Sequence, residues 1–169
     1  MQKGRFLPGS WRFRWAPLIV ASFVLLTDQL TKVWIRRSLL VGESFPQQGV
    51  IRFTHVQNDG IIFGIDAPQA VTLIFPILLV LGALLFSAKY SQADGWPLHV
   101  AVGLFIGGSL GNFLDRLVLG HVTDFVDIRL WSDFHWPAFN VADASIVIGV
   151  ILLSAFMIRS VWKTAPSNT

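Results

Sequence analysis

Four aspartates lie within or next to long apolar segments, where the sequence offers few other reactive groups. They are Asp28, Asp115, Asp124 and Asp143. Two carboxyl groups held close together cannot both ionise readily, so one keeps a proton while the other can act as a general base on water. Such a pair is the catalytic element of an aspartic protease. The spacing along the chain does not decide which two of the four form the pair.

Other catalytic chemistries have less support. The chain contains no cysteine, which excludes a cysteine nucleophile, disulfides and thiolate metal sites. Its four histidines show no metal-binding spacing of the HExxH type. Ser22, Ser109 and Ser145 lie in apolar segments without a lysine or histidine at helical spacing, which gives a Ser–Lys dyad little support.

The composition indicates a membrane protein. Hydrophobic residues make up 53% of the 169 residues, charged residues make up 14%, and the mean hydropathy is +0.60. A water-soluble domain has about 25% charged residues, so this chain lacks the charges to cover a hydrated surface. The basic residues flank apolar runs, so the net charge of +3 suits membrane topology better than nucleic-acid binding.

Four apolar stretches are long enough to cross a bilayer core of roughly 30 Å as helices. The predicted spans are residues 15–35, 71–88, 97–119 and 138–162. Polar residues from Thr27 onward follow the first apolar run, where a signal-peptide cleavage site would otherwise lie, so we expect an uncleaved helix. The excess of Lys and Arg in the predicted inner segments places both termini in the cytoplasm.

Two connections lie on the predicted outer side of the membrane. Residues 39–67 contain a β-rich run at 50–56, a turn at 58–60 and a second candidate strand at 61–65, which predict a small β element on the membrane surface.

The other connection, residues 120–137, is predicted to be a loop that begins after the third span and contains Asp124. Its aromatic residues suit the membrane interface; they are Trp131, Phe134 and Trp136. Residues 1–169 are therefore predicted to form one all-α integral membrane domain with a small extracytoplasmic β-sheet.

The helical rise brings the four aspartates to one depth. Asp28 lies roughly 20 Å along the first span at about 1.5 Å per residue, towards the outer leaflet. Asp115 lies near the outer end of the third span, Asp124 follows in the loop, and Asp143 begins the fourth span. An ionisable side chain costs at least ~2.5–3.5 kcal/mol at the bilayer centre, so several at one level indicate a functional site.

The same residues also fit structural pairs, which stay open as alternatives: Asp28 with Lys32, Asp115 with Arg116, and Asn140 with Asp143. The first is an i,i+4 pair whose lysine can extend to the outer interface. The second suits a structural ion pair, and the third resembles an N-cap followed by an acidic residue in the first helical turn.

Glycines recur every four residues in the third span. One row runs from Gly103 to Asp115, and its neighbour runs from Gly108 through Asn112 to Arg116. Such rows let another helix approach closely. Packing does not account for their polar ends, so a groove that holds a substrate's backbone is a further interpretation.

Three motifs now stand out: GGSLGNFLDR at residues 107–116, VTDF at 122–125 and FNVAD at 139–143. Shorter ones are Asp28-Gln29 with Lys32, and Asn58-x-Gly60-x-x-Phe63. In this order and with this span layout, the chain resembles the lipoprotein signal peptidase family, the type II signal peptidases of bacteria. It departs from that family at Asp59, where threonine is more common.

The resemblance implies an integral aspartic endopeptidase that removes the signal peptide from diacylglyceryl-modified prolipoproteins, cutting before the lipidated cysteine. Asp124 and Asp143 would be the catalytic pair. The supporting or substrate-binding positions would be Asp28, Asn58, Gly108, Asn112, Asp115, Arg116 and Asn140. The site would lie near the outer face of the bacterial inner membrane, in a monomer surrounded by lipid, with no metal, cofactor or nucleic acid.

Two other functions remain as hypotheses. A transporter or proton-translocating subunit would use the intramembrane aspartates as a relay, and a membrane scaffold would use only the glycine rows. Against the transporter, the acids cluster at one depth and no inverted repeat is visible.

Overall fold

The structure, a computed structural model, describes residues 15–60, 68–89, 96–131 and 134–164. Within these residues it contains four helices and four strands. In chain order they are α1 (Ala16–Ser38), β1 (Ser44–Phe45), β2 (Ile51–Asn58), α2 (Gln69–Lys89), α3 (Trp96–Leu119), β3 (Val122–Trp131), β4 (Phe134–Phe139) and α4 (Val141–Thr164). The chain is therefore mostly helical with one small sheet, as its sequence predicts.

The helices lie where the sequence predicts spans, with ends that differ by at most three residues. Three apolar segments are long enough to cross a bilayer: Ala16–Ser38, Trp96–Leu119 and Val141–Arg159. The apolar part of α2, Ala70–Leu85, is shorter. Among the described residues there are thus three helices of span length and one shorter apolar helix.

Helix α1 has an exposed apolar face and a buried face. The exposed large side chains are Leu18, Ile19, Phe23, Leu26, Leu30 and Trp34. The buried side chains recur every three or four residues and are Ala21, Val24, Asp28, Lys32 and Ile35. An exposed apolar stripe on a helix of this length suits contact with lipid. The buried stripe changes from apolar to charged towards its end, so α1 brings ionic groups into the interior there.

Helix α3 is central and packs against α1, α2 and α4. A Cβ added at Gly107 would lie 2.7 Å from the carbonyl oxygen of Ala21 in α1, and one at Gly108 would lie 2.5 Å from that of Ala142 in α4. The two glycine rows are therefore filled by neighbouring helices, and the predicted open groove for a substrate is wrong for Gly108. The reason is that glycine has no side chain, so the neighbouring helices can pack closely against α3.

We expect Gly108→Ala to lower stability, because the new methyl group would overlap backbone of α4. Overpacking of this kind costs about 1–3 kcal/mol, or a melting temperature lower by roughly 2–10 °C. Thermal unfolding in detergent measures this, with Gly82→Ala in α2 as the control. Among the described residues, no atom outside the local backbone of α2 lies within 4 Å of a Cβ at Gly82, so that variant should melt at or above the wild-type temperature. Equal melting of the two variants would contradict the packing role of Gly108.

The four strands form one antiparallel sheet in the order β1-β2-β3-β4. The register of β2 and β3 shifts between Phe53 and Val56, where two residues of β2 face one residue of β3 in a β-bulge. Beyond the bulge, Val56 pairs with Asp124 and Asn58 with Val122. The shift therefore sets the level at which Asp124 meets the end of β2.

The prediction of a loop over residues 120–137 is wrong, since β3 and β4 occupy most of it. The strand β3 is stabilised by pairing with β2, which is distant in the sequence, and the local pattern does not report such a contact. The predicted strand at residues 50–56 is confirmed as most of β2. The candidate strand at residues 61–65 lies outside the described residues.

A polar cluster joins three strands of the sheet at Asp127. Its carboxylate accepts hydrogen bonds from Arg52, from Thr54 at 2.8 Å, and contacts Nδ1 of His135 at 2.7 Å. Burial acts to raise the pKa of Asp127, but the bonds from His135, Thr54 and Arg52 outweigh it and hold that pKa below its ordinary value. The ionised carboxylate is therefore part of what holds β2, β3 and β4 together.

Acid should weaken this cluster. The folded-state pKa of Asp127 is lowered. Its contribution to the free energy of unfolding is therefore present above the unfolded-state pKa of about 3.9, and is lost as the pH falls through the folded-state pKa. We expect Asp127→Asn to melt below wild type at pH 6, and the difference to shrink at pH 3. Thermal unfolding of both proteins at the two pH values measures it. A difference that stays constant would show that the ionised form is not what matters.

Candidate active site

The polar ends of α1, α3 and α4 meet the sheet at one end of the helix bundle. The backbone N–H of Thr123 in β3 donates to Asp115 of α3, and that of Ala142 in α4 donates to Asp28 of α1. All the predicted site residues that the structure describes lie in this region. It brings together Asp28, Asn58, Gly108, Asn112, Asp115, Arg116, Asp124, Asn140 and Asp143.

Asp124 lies in strand β3, not in a loop, and its side chain is buried. Each of its oxygens accepts a side-chain amide. Nδ2 of Asn58 donates to Oδ2 at 2.7 Å, and Nδ2 of Asn140 donates to Oδ1 at 2.6 Å. Because Asn58 ends the paired strand β2 and Asn140 precedes α4, three separate elements fix the position of this carboxylate.

Asp143 lies in the first turn of α4. Its backbone N–H donates to Oδ1 of Asn140 at 2.9 Å, while its Oδ2 accepts the backbone N–H of Asn140 at 3.2 Å. This reciprocal arrangement is a capping box, so the N-cap interpretation from the sequence is confirmed. The other oxygen, Oδ1, accepts Nδ2 of Asn112 at 2.7 Å. Asp143 is half-buried. Both the helix cap and Asn112 of α3 orient its carboxylate.

Asn140 connects the two aspartates. Its side chain is fully buried, its Oδ1 caps Asp143, and its Nδ2 bonds Asp124 and, at 3.1 Å, Oδ1 of Asn112. The two carboxylates are close enough to interact electrostatically. Burial first, and then the charge of Asp143, raise the pKa of Asp124 to about 7, although the amides of Asn58 and Asn140 act to lower it. Asp124 therefore keeps its proton to a higher pH than an ordinary aspartate.

The other two aspartates bind a lysine. Nζ of Lys32 lies 2.8 Å from Asp28 and 3.4 Å from Asp115, and it donates to Asn112 at 2.9 Å. The i,i+4 pair of Asp28 and Lys32 is confirmed, but the expectation that Lys32 extends to the interface is wrong, because its side chain is 0% exposed. Two carboxylates and an amide oxygen offset the cost of burying its charge. Nothing in the sequence placed Asp115 opposite α1, so this bridge was missed.

Arg116 lies near Asp124 and Asp143. Its guanidinium donates to the carbonyl oxygen of Gly60 at 2.7 Å and interacts electrostatically with Asp143, Asp124 and Asp115. Gly60 follows Asn58 in an Asx turn, in which the backbone N–H of Gly60 donates to Oδ1 of Asn58. The predicted turn at residues 58–60 is thereby confirmed. Asp115 also pairs with Lys32 and with Arg36, so it binds α1 in addition to interacting electrostatically with its neighbour Arg116.

Within the described residues, the site offers carboxylates and amides but no metal ligand set. In the parts of the chain that the structure describes, no three histidine, aspartate or glutamate side chains converge as metal ligands would. The aspartate oxygens face amide and backbone donors instead. The arrangement suits proton transfer to and from a water molecule.

Comparison with known proteins identifies the family. A profile described as signal peptidase (SPase) II matches residues 20–159. The lipoprotein signal peptidase of Geobacter sulfurreducens is 39% identical over 153 residues, which cover 88% of this chain and 94% of that protein. The lipoprotein signal peptidase of Moorella thermoacetica is 39% identical over 137 residues, which cover 80% and 88%.

Solved structures agree in fold. One described as a bacterial membrane enzyme, with 28% sequence identity, superposes with a TM-score of 0.76 over 100% of this chain and 99% of that one. A second with the same description has 31% identity and a TM-score of 0.65 over 93% and 97%. The family and the apolar helices favour the peptidase over the transporter and scaffold hypotheses. The chain therefore belongs to the signal peptidase II family and is a membrane protease.

Proposed function

We propose that this protein is an intramembrane aspartic endopeptidase that removes the signal peptide from diacylglyceryl-modified bacterial prolipoproteins, cutting on the N-terminal side of the lipidated cysteine. The names of its relatives support the substrate class. The observation that carries the mechanism is the buried amide of Asn140, which binds both Asp124 and Asp143. Because Asn140 binds the carboxylate of Asp124 and the backbone N–H of Asp143, it keeps the two aspartates in one site, as an aspartic protease requires.

In the proposed reaction, the ionised carboxyl of the pair takes a proton from water as the water oxygen attacks the scissile carbonyl carbon. The protonated carboxyl then gives its proton to the departing amide nitrogen as the C–N bond breaks. The raised pKa of Asp124 favours a proton there, so we assign Asp124 as the acid and Asp143 as the base. The two groups titrate as a pair, so we assign the roles to the resting state.

The remaining site residues have supporting roles in this proposal. Asn58, Asn112 and Asn140 orient the carboxylates through their amides. Arg116 holds the turn at Gly60 beside the pair, where a substrate backbone would enter. The other positions act through packing and charge and are Asp28, Gly108 and Asp115.

We further propose that residues 1–169 form one monomeric domain with four spans, α2 being the fourth, and with both termini in the cytoplasm. The exposed apolar faces of the helices support a location in lipid. The site then lies near the outer face of the bacterial inner membrane, where a lipid-anchored substrate can reach it without leaving the leaflet. No cofactor takes part in this mechanism.

A cleavage assay tests the proposal. The purified protein is incubated with a precursor peptide that carries a diacylglyceryl cysteine, and with the same peptide lacking the lipid, and the products are identified by mass spectrometry. We expect cleavage immediately before the cysteine in the lipidated peptide only. Folded protein that leaves both peptides intact, or that cuts elsewhere, would contradict the proposed reaction.

A further inference from the structure

Lys32 lies at the centre of a buried charged cluster that takes no direct part in the proposed reaction. Its ammonium group contacts Asp28 and Asp115, and its side chain is fully buried. Burying an ammonium ion costs several kcal/mol unless its partners are well placed. The other bonds of those partners indicate what the cluster does besides balancing charge.

Each carboxylate that binds Lys32 also holds one peptide N–H, and each of those peptides immediately precedes an aspartate of the proposed pair. The bonds are Ala142 N to Asp28 Oδ1 at 2.9 Å, next to Asp143, and Thr123 N to Asp115 Oδ2 at 3.0 Å, next to Asp124. One ammonium group thus joins the backbone of α4 to that of β3 at the two positions that matter for the pair. Helix packing alone would not need both of these bonds.

Lys32 also sets the orientation of an amide. A lysine ammonium group can only donate, so the atom of Asn112 that faces it must be the oxygen. The same oxygen accepts from Asn140, which leaves the Nδ2 of Asn112 to donate to Asp143. Lys32 and Asn140 thus together hold the amide of Asn112 in the orientation in which its nitrogen meets Asp143.

We propose that Lys32 is a positioning residue for the aspartate pair, fixing the two peptides through its carboxylate partners and the amide of Asn112 directly. The inference rests on the proposed function of the pair. In this proposal Lys32 touches neither the substrate nor the attacking water. It sets the geometry in which the two aspartates act on them.

The charge of Lys32 gives the inference a measurable signature. Its positive charge acts to lower the pKa of Asp124, so its removal should raise that pKa and move the basic limb of the pH–rate profile to higher pH. The other charged groups around the cluster are Asp28, Arg36, Asp115, Arg116, Asp124 and Asp143. A change confined to folding would leave the position of that limb unaltered.

The test compares Lys32→Met with Arg37→Met, a control at an exposed arginine one turn further along α1. Cleavage of the lipidated peptide is measured as kcat and KM from pH 5 to 9 in detergent. For Lys32→Met we expect kcat to fall by about 10²-fold, as for a misplacement of about 1 Å, with KM nearly unchanged and the basic limb at higher pH. Arg37→Met should behave as wild type.

A double variant protects the test against loss of folding. In Asp28→Asn with Lys32→Met, the asparagine keeps an oxygen for the N–H of Ala142 while one charge of each sign is removed. We expect this variant also to show the loss of kcat and the shifted limb. Folded variants with wild-type kcat and limb would overturn the inference, and so would failure of both to fold while Arg37→Met folds. Wild-type protein that cannot cleave the peptide would instead contradict the proposed function.

Discussion

Asp124→Asn and Asp143→Asn should each reduce cleavage of the lipidated precursor by at least about 10²–10⁴-fold, the range that positioned acid–base groups contribute. Either substitution leaves the pair unable to exchange a proton with water, because an amide neither accepts nor releases one in this role. Single-turnover rates followed by mass spectrometry measure the loss. Because the two residues act as a unit, the double variant should be little worse than either single one.

The matched control is Asp127→Asn, three residues along the same strand as Asp124. Asp127 bonds Arg52, Thr54 and His135 within the sheet, so its loss removes a carboxylate from β3 without touching the proposed pair. Measured at a temperature where it stays folded, this variant should keep most of its cleavage rate. A wild-type rate in either pair variant, or an equal loss in the control, would rule out our assignment of the dyad.

Asp115→Asn should destabilise the protein far more than Asp124→Asn. Asp115 is buried and neutralises Lys32 and Arg36 while holding the N–H of Thr123. Removing one partner of a buried ion pair costs on the order of 3–5 kcal/mol, which lowers the melting temperature by roughly 6 °C or more. Thermal unfolding in detergent at pH 8 provides the measurement.

Asp124→Asn should not lower the melting temperature as Asp115→Asn does. A carboxyl whose folded-state pKa is raised to about 7 binds more protons when folded than when unfolded, so wild-type stability falls as the pH rises from about 4 through 7. At pH 8 the substitution removes a destabilising charge, and we expect an unchanged or higher melting temperature, with less benefit at pH 5. Equal melting of the Asp115 and Asp124 variants at pH 8 would show that Asp115 has no special structural role.

The membrane environment and the positions of the helices can be predicted from the amino-acid sequence. The chain has too few charged residues to cover a hydrated surface, and its apolar runs are long enough to cross a membrane. A bilayer is therefore the suitable environment. The position and length of an apolar run are local properties of the chain, which is why the helix ends agree to within three residues. The capping box of Asn140 and Asp143 and the turn at residues 58–60 were likewise readable, since each is a local hydrogen-bonding pattern.

The family was also visible in the order of short polar motifs. Those motifs named the candidate residues but did not give their contacts. From spacing alone, four aspartates were equal candidates for a pair, and Lys32 was expected to reach the interface. The strands β3 and β4 were missed for the same reason, since β3 is stabilised by pairing with β2, and β4 by pairing with β3.

The resemblance named Asp124 and Asp143 as the pair, and the tertiary structure shows that the four aspartates have two different kinds of partner. Packing of α1 against α3 brings Asp28 and Asp115 to one lysine, whereas pairing of β2 with β3 brings Asp124 to the amide of Asn58. The division depends on contacts between elements distant in the sequence, and on the cost of burying each charge in the place where those contacts put it. Local pattern fixes which residues are polar; three-dimensional packing decides which of them meet the side chain of Asn140 and which share the ammonium group of Lys32.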